Sequence, residues 1–188
     1  MKTNTQLQSG YQEINSEIIE LSKAGDAKAQ FRLYSLYSHA MFNICMRMVN
    51  QREEAEDILQ DSFTLAFSRL ESFRYESGFG TWLKRIVINS CINHLKKRRP
   101  EIIFEPELND AIAEEENTDF EKIKLKVDAV RNALESLADG YRIIFSLYAL
   151  EGYDHEEISG ILGISESTSK TQYLRAKNRI KELILQSK

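Results

Sequence analysis

The sequence predicts an all-α protein made of two small helical domains joined by a flexible acidic linker, the C-terminal domain being a helix-turn-helix. Apolar residues recur at three- and four-residue steps along most of the long segments, which is the helical period. The two prolines, Pro100 and Pro106, fall together where that period stops and where basic charge gives way to acidic charge. Near the C-terminus a helical pattern, a short turn containing Gly163 and a second helical pattern follow one another, as in helix-turn-helix units. The expected divisions are an N-terminal segment with a short helix over 1–25, a first domain over 26–99, the acidic linker over 100–119 and the helix-turn-helix domain over 120–188.

Composition narrows the function classes. At 188 residues and 42% hydrophobic content the chain can bury a useful core even when that core is split. A net charge of -4 argues, taken whole, against a simple basic nucleic-acid binder. The charges are segregated, however. From Thr81 to Arg99 every formal charge is positive, from Glu101 to Glu121 every one is negative, and from Lys170 to Lys181 all are positive again. Exposed charges more than about 8–10 Å apart are largely screened at physiological salt, so each block acts locally. Cys45 and Cys91 sit in apolar helical patterns with no CxxC or Cys/His cluster, and read as reduced core thiols. The start MKTNTQLQSGYQEINSE has no apolar signal-peptide core and no run approaches a membrane span, so the expected location is cytoplasmic.

Taken in order, Ser16 is the expected cap of a short helix ended by Gly25, and Asp26 that of a longer one carrying the core stripe Tyr34, Tyr37, Met41, Cys45 and Met48. Asn50-Gln51 supplies a turn. The next helix is expected to run to about Phe73, packing through Ala55, Leu59, Ser62, Phe63, Ala66, Leu70 and Phe73. Its other face carries Asp57, Gln60, Asp61, Thr64 and Ser68, which reads either as a solvated face or as a protein-docking face. The loop RYESGFG that follows concentrates rings, with Phe73, Tyr75, Phe79 and then Trp82. Such rings suit base stacking, worth about 1–3 kcal/mol per base, and suit equally a small hydrophobic cluster under the loop.

Gly80 to Arg99, GTWLKRIVINSCINHLKKRR, is a helical pattern whose apolar residues change sides. At roughly 100° per residue, Phe79, Trp82, Leu83 and Ile86 share one face while Ile88, Cys91, Ile92 and Leu95 fall nearly opposite. Asn89, Ser90, Asn93, His94 and Lys97 fill the vacated side before the run Lys96-Lys97-Arg98-Arg99. Amides and cations on an anchored helix can hydrogen-bond base edges and phosphates. A solvated face with a basic end complementing the macrodipole is the alternative.

Beyond the linker, Phe120, Ile123, Val127, Val130, Leu134 and Leu137 step by three and four, and Asp139 is the expected cap of a helix ending near Gly152. Asp154 with Glu157 is a capping box opening HEEISGILG, Gly163 closes it, and Ser165 caps the last helix. On that helix Ser169, Tyr173, Ala176 and Ile180 face the domain, while Ser167, Lys170, Thr171, Leu174, Arg175 and Asn178 face out. Short hydroxyls, cations and one apolar contact suit a major groove; a plain helical hairpin fits the same pattern.

The stretches REEAEDILQDSFTLAFSRLESF and GTWLKRIVINSCINHLKKRR, followed by ALESLADGYRIIFSLYALEGYDHEEISGILGISESTSKTQYLRAKNRIKEL, resemble the second and fourth conserved regions of the bacterial RNA polymerase sigma factors of the extracytoplasmic-function group, in the sigma-70 family. The resemblance covers about Asp26 to Leu185 with both parts in the family's order. It implies a transcription initiation factor that binds core RNA polymerase, recognises -10 and -35 promoter elements and stabilises melted DNA. The implied polymerase contacts are Asp57, Gln60, Asp61 and Thr64. The implied -10 contacts are Phe73, Tyr75, Phe79, Trp82, Lys84, Arg85, Asn89, Asn93 and Lys97, with a base flipped into the aromatic loop. The implied -35 contacts are Ser167, Thr168, Lys170, Thr171, Leu174, Arg175 and Asn178. It implies also an anti-sigma factor as regulatory partner, and a linker that threads through the polymerase as a mimic of nucleic acid. Two departures stand out: Ser169 replaces a small aliphatic residue on the packed side, so its hydroxyl needs a backbone acceptor, and Gln172 and Tyr173 interrupt the family's arginine-rich surface.

The alternative is a stand-alone helix-turn-helix regulator that binds duplex operator DNA. An enzyme fits poorly: His39, His94 and His155 are isolated in sequence, there is no phosphate loop, and no cofactor or metal is called for.

Overall fold

The computed structural model describes residues 15–98 and 127–186, and among them every regular element is helical. The linker over 100–119 and the start of the helical pattern at Phe120 and Ile123 lie outside the described residues. The first group comprises α1 (Ser16–Lys23), α2 (Ala27–Val49), α3 (Arg52–Ser68), one 3-10 turn (Leu70–Ser72) and α4 (Phe79–Arg98). The second comprises α5 (Val127–Glu135), α6 (Asp139–Phe145) continued by a wide π turn (Ser146–Leu150), α7 (His155–Leu162) and α8 (Glu166–Gln186).

Local chemistry sets most boundaries. Asp26 caps α2 by accepting the Ala29 amide at 2.8 Å, and Asn50 ends it in the left-handed region at φ 56°, where a short polar side chain is tolerated. Asp154 and Glu157 form a complete capping box on α7, which Gly163 closes at φ 74°. Three boundaries differ from expectation. The cap of α1 is Asn15, not Ser16, which is already helical. Asp139 does not cap α6: it lies inside the first turn, and its carboxylate accepts from Arg142 Nη2 at 2.5 Å, a partner three residues on. Finally, α3 stops at Ser68 rather than near Phe73. The Ser68 and Ser72 hydroxyls donate to the carbonyls of Leu65 and Arg69, local bonds that favour the turn there.

The divided face of α4 has a simple origin, because α4 lies against both α2 and α3. Its buried residues Phe79, Leu83, Val87, Cys91 and Leu95 form one row at four-residue steps. Such a row creeps about 40° round the helix at each step. Val87 supplies the middle of the row, so the apolar surface drifts continuously rather than switching sides. At the start, Phe79 meets Tyr37 of α2 edge-on at 5.1 Å; at the end, His94 and Arg98 reach Glu54 of α3. Gly80 permits the close approach, since a Cβ there would lie 3.1 Å from the Tyr37 ring.

Cys45 and Cys91 are buried and reduced. Their contact, together with burial, pushes the Cys91 thiol well above its ordinary range, the hydrogen bond with Cys45 being the larger cause.

The second group has its own small core of Ala133, Leu134, Leu137, Ala176, Ile180 and Ile184. Ile143, Ile144, Leu147, Ile158 and Leu162 instead belong to a cluster continuous with the first group's core. Arg142, only 2% exposed, secures this junction: its Nη1 donates to Leu137 O at 2.9 Å and its Nε to Arg47 O at 3.1 Å, at the C-terminal end of α2. A cation there also meets the negative end of the helix dipole.

Candidate nucleic-acid interface

On α4, Asn89, Asn93 and Lys97 are exposed, as the pattern of the helix requires once α2 and α3 have taken its apolar row. His94 is not part of that open surface. Its Nε2 lies 3.1 Å from Glu54 Oε2, and Arg98 pairs with the same carboxylate and with Gln51.

The rings before α4 are a cluster under the loop. Phe73 and Phe79 are 3% and 0% exposed, with no face left for a base, so neither serves as a stacking platform. They support Trp82, half-buried at 5.4 Å and 5.7 Å from their centroids. Tyr75, also half-buried, adopts φ 59°; its hydroxyl donates to Glu20 at 2.5 Å and Lys23 Nζ sits 4.8 Å from its ring centre. Lys23 and then Tyr75, by bonding the Glu20 carboxylate, hold its pKa below the usual value.

Lys84 and Arg85 face the second group. Lys84 Nζ donates to Glu151 O at 2.9 Å, lies 3.5 Å from Glu151 Oε2 and sits 5.5 Å from the Tyr153 ring centre. Burial raises the Tyr153 pKa, an effect that the neighbouring Arg85 opposes.

The α3 face separates as the period predicts: Asp57, Gln60, Asp61 and Thr64 are all exposed on one side, with Thr64 Oγ1 donating back to Gln60 O at 2.9 Å. On α8, Ser167, Lys170 and Asn178 are exposed, and Thr168, Thr171, Leu174 and Arg175 are half-buried. Ser165 caps the helix, accepting from the Thr168 amide at 3.0 Å, and engages the hydroxyls of Ser167 and Thr168; Lys170 pairs with Glu166 at 2.7 Å.

Two expectations about the packed side of α8 are corrected. Ser169 finds no backbone acceptor but His155, whose Nδ1 is 2.9 Å from its Oγ. Gln172 does not interrupt an outer surface, because it is 2% exposed and turned inward. The His155–Ser169 distance is that of a nucleophile and base, yet Ser169 is fully buried and no substrate can reach it. The imidazole stacks on Tyr148 at 4.3 Å, and burial, then Lys170, lowers its pKa below 6.5.

Compared with known protein families, residues 33–101 match the model of Sigma-70 region 2 and residues 128–180 that of Sigma-70 region 4. The chain is 31% identical over 181 residues to the ECF RNA polymerase sigma-E factor of Haemophilus influenzae, covering 89% of this chain and 93% of that protein. The chain belongs to the sigma-70 family of RNA polymerase sigma factors. Within that family it falls in the ECF group. It is likewise 29% identical over 179 residues to the RNA polymerase sigma-H factor of Pseudomonas aeruginosa, covering 90% and 93% of the two chains. Solved structures share the fold of this sigma factor. CnrH in complex with the cytosolic domain of CnrY superposes with a TM-score of 0.54 at 20% identity, covering 93% of this chain and 99% of that one. The sigma factor RpoE in complex with the anti-sigma factor NepR from Bartonella quintana gives 0.53 at 24% identity, covering 81% and 94%.

This sigma factor is thus a transcription initiation factor that directs polymerase to promoters, and the stand-alone regulator is not favoured. Sequence reasoning missed Arg47, Arg142, Glu151 and Tyr153. Arg47 and Glu151 are 104 residues apart, and no local pattern marks their pairing. Among the described residues no helix is long and apolar enough to cross a membrane.

Proposed function

We propose that this sigma factor divides its work among three surfaces. Asp57, Gln60, Asp61 and Thr64 on α3 bind core RNA polymerase. Tyr75, Trp82, Lys84, Arg85, Asn89, Asn93 and Lys97 engage the -10 element and hold it melted, while Phe73 and Phe79 act only as the floor beneath Trp82. Ser167, Thr168, Lys170, Thr171, Leu174, Arg175 and Asn178 read the -35 element. The observation that carries this reading is α4: wedged between α2 and α3, it keeps Asn89, Asn93 and Lys97 on water. The factor acts in the cytoplasm with no chemistry of its own; bond making belongs to the polymerase. An anti-sigma factor is the expected regulatory partner, in keeping with the NepR and CnrY complexes of the two solved relatives.

Affinity comes from shared binding. Each domain holds DNA weakly until the polymerase fixes both at promoter spacing, where the second contact benefits from a high effective concentration. The acidic average charge serves this, since a free factor should not coat the genome.

A pull-down with core polymerase followed by run-off transcription tests the assignment. The expected result is a promoter-dependent transcript only when factor and core are combined; tight duplex binding without core, and no transcript with it, would refute it. Asp61→Arg should weaken core binding by about a hundredfold or more, because it opposes charges in a formed interface. Unchanged affinity in a folded variant would place the docking face elsewhere.

A further inference from the structure

Ser22 and Ser62, buried within helices of the first group, each donate to the carbonyl four residues back, Ile18 O at 2.7 Å and Ile58 O at 2.6 Å. Ser169 of α8 is as fully buried but turns its hydroxyl across to α7, where His155 Nδ1 lies 2.9 Å away. With no backbone carbonyl accepting it, the Ser169 hydroxyl donates to that nitrogen, so the imidazole is neutral and carries its proton on Nε2. Tyr148 of the π turn stacks on the ring at 4.3 Å, and Tyr173 of α8 stands edge-on to it at 5.8 Å. The charged groups facing the ring are Asp154, which caps α7, and Glu166 and Lys170 on α8; the two tyrosines are its other titratable neighbours. Burial, then Tyr148, raises the pKa of Tyr173, which keeps that phenol neutral. In sequence Ser169 stands between Thr168 and the pair Lys170 and Thr171, all three assigned above to the -35 element. The bond to α7 thus grips α8 at the point from which those three side chains spring.

We propose that His155 is a positioning residue for promoter reading: through the Ser169 hydroxyl it fixes how α8 lies on α7, and hence where Thr168, Lys170 and Thr171 stand, and it does so only while its imidazole is neutral. This rests on the assignment of α8 to the -35 element. Protonation puts a hydrogen on Nδ1, which can then only donate. The Ser169 oxygen accepts it, and the hydroxyl proton loses its acceptor in a buried site, which is costly for a donor closed off from water. The imidazolium also confronts the Lys170 ammonium, while Asp154 and Glu166 favour it. Burial and Lys170 outweigh those carboxylates, since the pKa of His155 lies below its ordinary value. Release of the hydroxyl lets α8 shift on α7. Contacts to phosphates survive a small shift because they carry no sequence information, whereas bonds to base edges need fixed geometry. The signature of a lost grip is therefore poorer choice among sequences rather than weaker binding to all of them.

The test uses holoenzyme assembled from the full chain and core polymerase. Fluorescence anisotropy compares its affinity for a promoter that it transcribes with its affinity for the same promoter carrying a scrambled -35 element. The ratio of the two affinities reads discrimination. His155→Asn keeps an acceptor close to the position of Nδ1 but does not titrate, and His155→Phe keeps a ring but has no acceptor. Between about pH 7.5 and about pH 5 the parent should lose about tenfold in discrimination, the share of one well-placed base contact. His155→Asn should hold its discrimination at both ends of that range, and His155→Phe should be about tenfold poorer at both, with helical content unchanged by circular dichroism. A parallel loss with pH in His155→Asn overturns the proposal, because another group then titrates. Full discrimination in a folded His155→Phe overturns it too, because the imidazole then only packs. Should His155→Phe fail to fold, the contrast between the falling profile of the parent and the flat one of His155→Asn still decides. Arg175→Ala separates this proposal from the reading beneath it. If that variant discriminates as fully as the parent, the assignment of α8 fails and the proposal with it. If it loses discrimination while the profile of the parent is flat with pH, the assignment stands and only the role of His155 falls.

Discussion

α4 and α8 are both assigned to DNA, yet the fold exposes them in different ways. α8 rests one side on its domain and turns the other outward, so the residues proposed to face a groove are whatever the core does not use. α4 is wedged between α2 and α3, and the face proposed for DNA is the narrow remainder after two neighbours have taken their shares. The difference teaches where tolerance lies. On α4 the exposed Asn89 and Asn93 directly follow buried Ile88 and Ile92, and on α8 the exposed Lys170 likewise follows buried Ser169; because Thr168, Thr171, Leu174 and Arg175 are half-buried, only Ser167, Lys170 and Asn178 on the outer side of α8 can vary clear of the core.

The largest effect that sharpens this contrast is on stability. Phe79→Ala should cost about 3–5 kcal/mol in a denaturant titration, because it empties a fully buried site shared with Tyr37, Phe73 and Trp82. Asn89→Ala, ten residues along the same helix, should stay within about 0.5 kcal/mol of the parent. Comparable losses would mean that α4 has no separate reading face.

Smaller effects are expected on α8. Lys170→Ala and Arg175→Ala should each weaken holoenzyme binding to a promoter by about 1–3 kcal/mol if they touch bases, with relaxed preference at one position each. Equal losses on every sequence would mark phosphate contacts, and α8 would then position the factor rather than select the site.

The smallest effect concerns what lies behind α8. His155 is held below its ordinary pKa of 6.5, first by burial and then by Lys170, while Asp154 and Glu166 pull the other way. A lowered histidine value means that the unfolded chain binds the extra proton, so stability is fully present above 6.5 and declines as pH falls through the folded value. Between about pH 7.5 and about pH 5, the parent should lose more thermal stability than His155→Gln. Parallel losses would remove the imidazole from the packing of the helix-turn-helix.

The sequence made the helices legible because caps and periods act over a few residues: Asp26, Asp154 with Glu157, Gly163 and Ser165 each act as their chemistry requires. The outer face of α3 was legible for the same reason. Reading failed where a side chain's partner was remote or where two neighbours shared one helix. Val87 joins the two apolar runs of α4 only when α2 and α3 are both in place. Phe73 and Phe79 looked like candidates for bases because rings in a loop suit stacking and burial equally. Ser169 and Gln172 turn inward, and His155, fourteen residues before Ser169, supplies the partner that the helix backbone does not. The junction through Arg47, Arg142 and Glu151 had no sequence signal, since contacts across some hundred residues leave no local pattern.

The division between α4 and α8 is tested most directly by placing a photo-cross-linking residue at Asn89 or at Arg175 and assembling each variant with core polymerase on promoter DNA. The account predicts that the probe at Asn89 marks melted DNA at the -10 element and the probe at Arg175 marks duplex DNA at the -35 element. Cross-links from Asn89 to protein alone, or from both probes to the same promoter element, would contradict it.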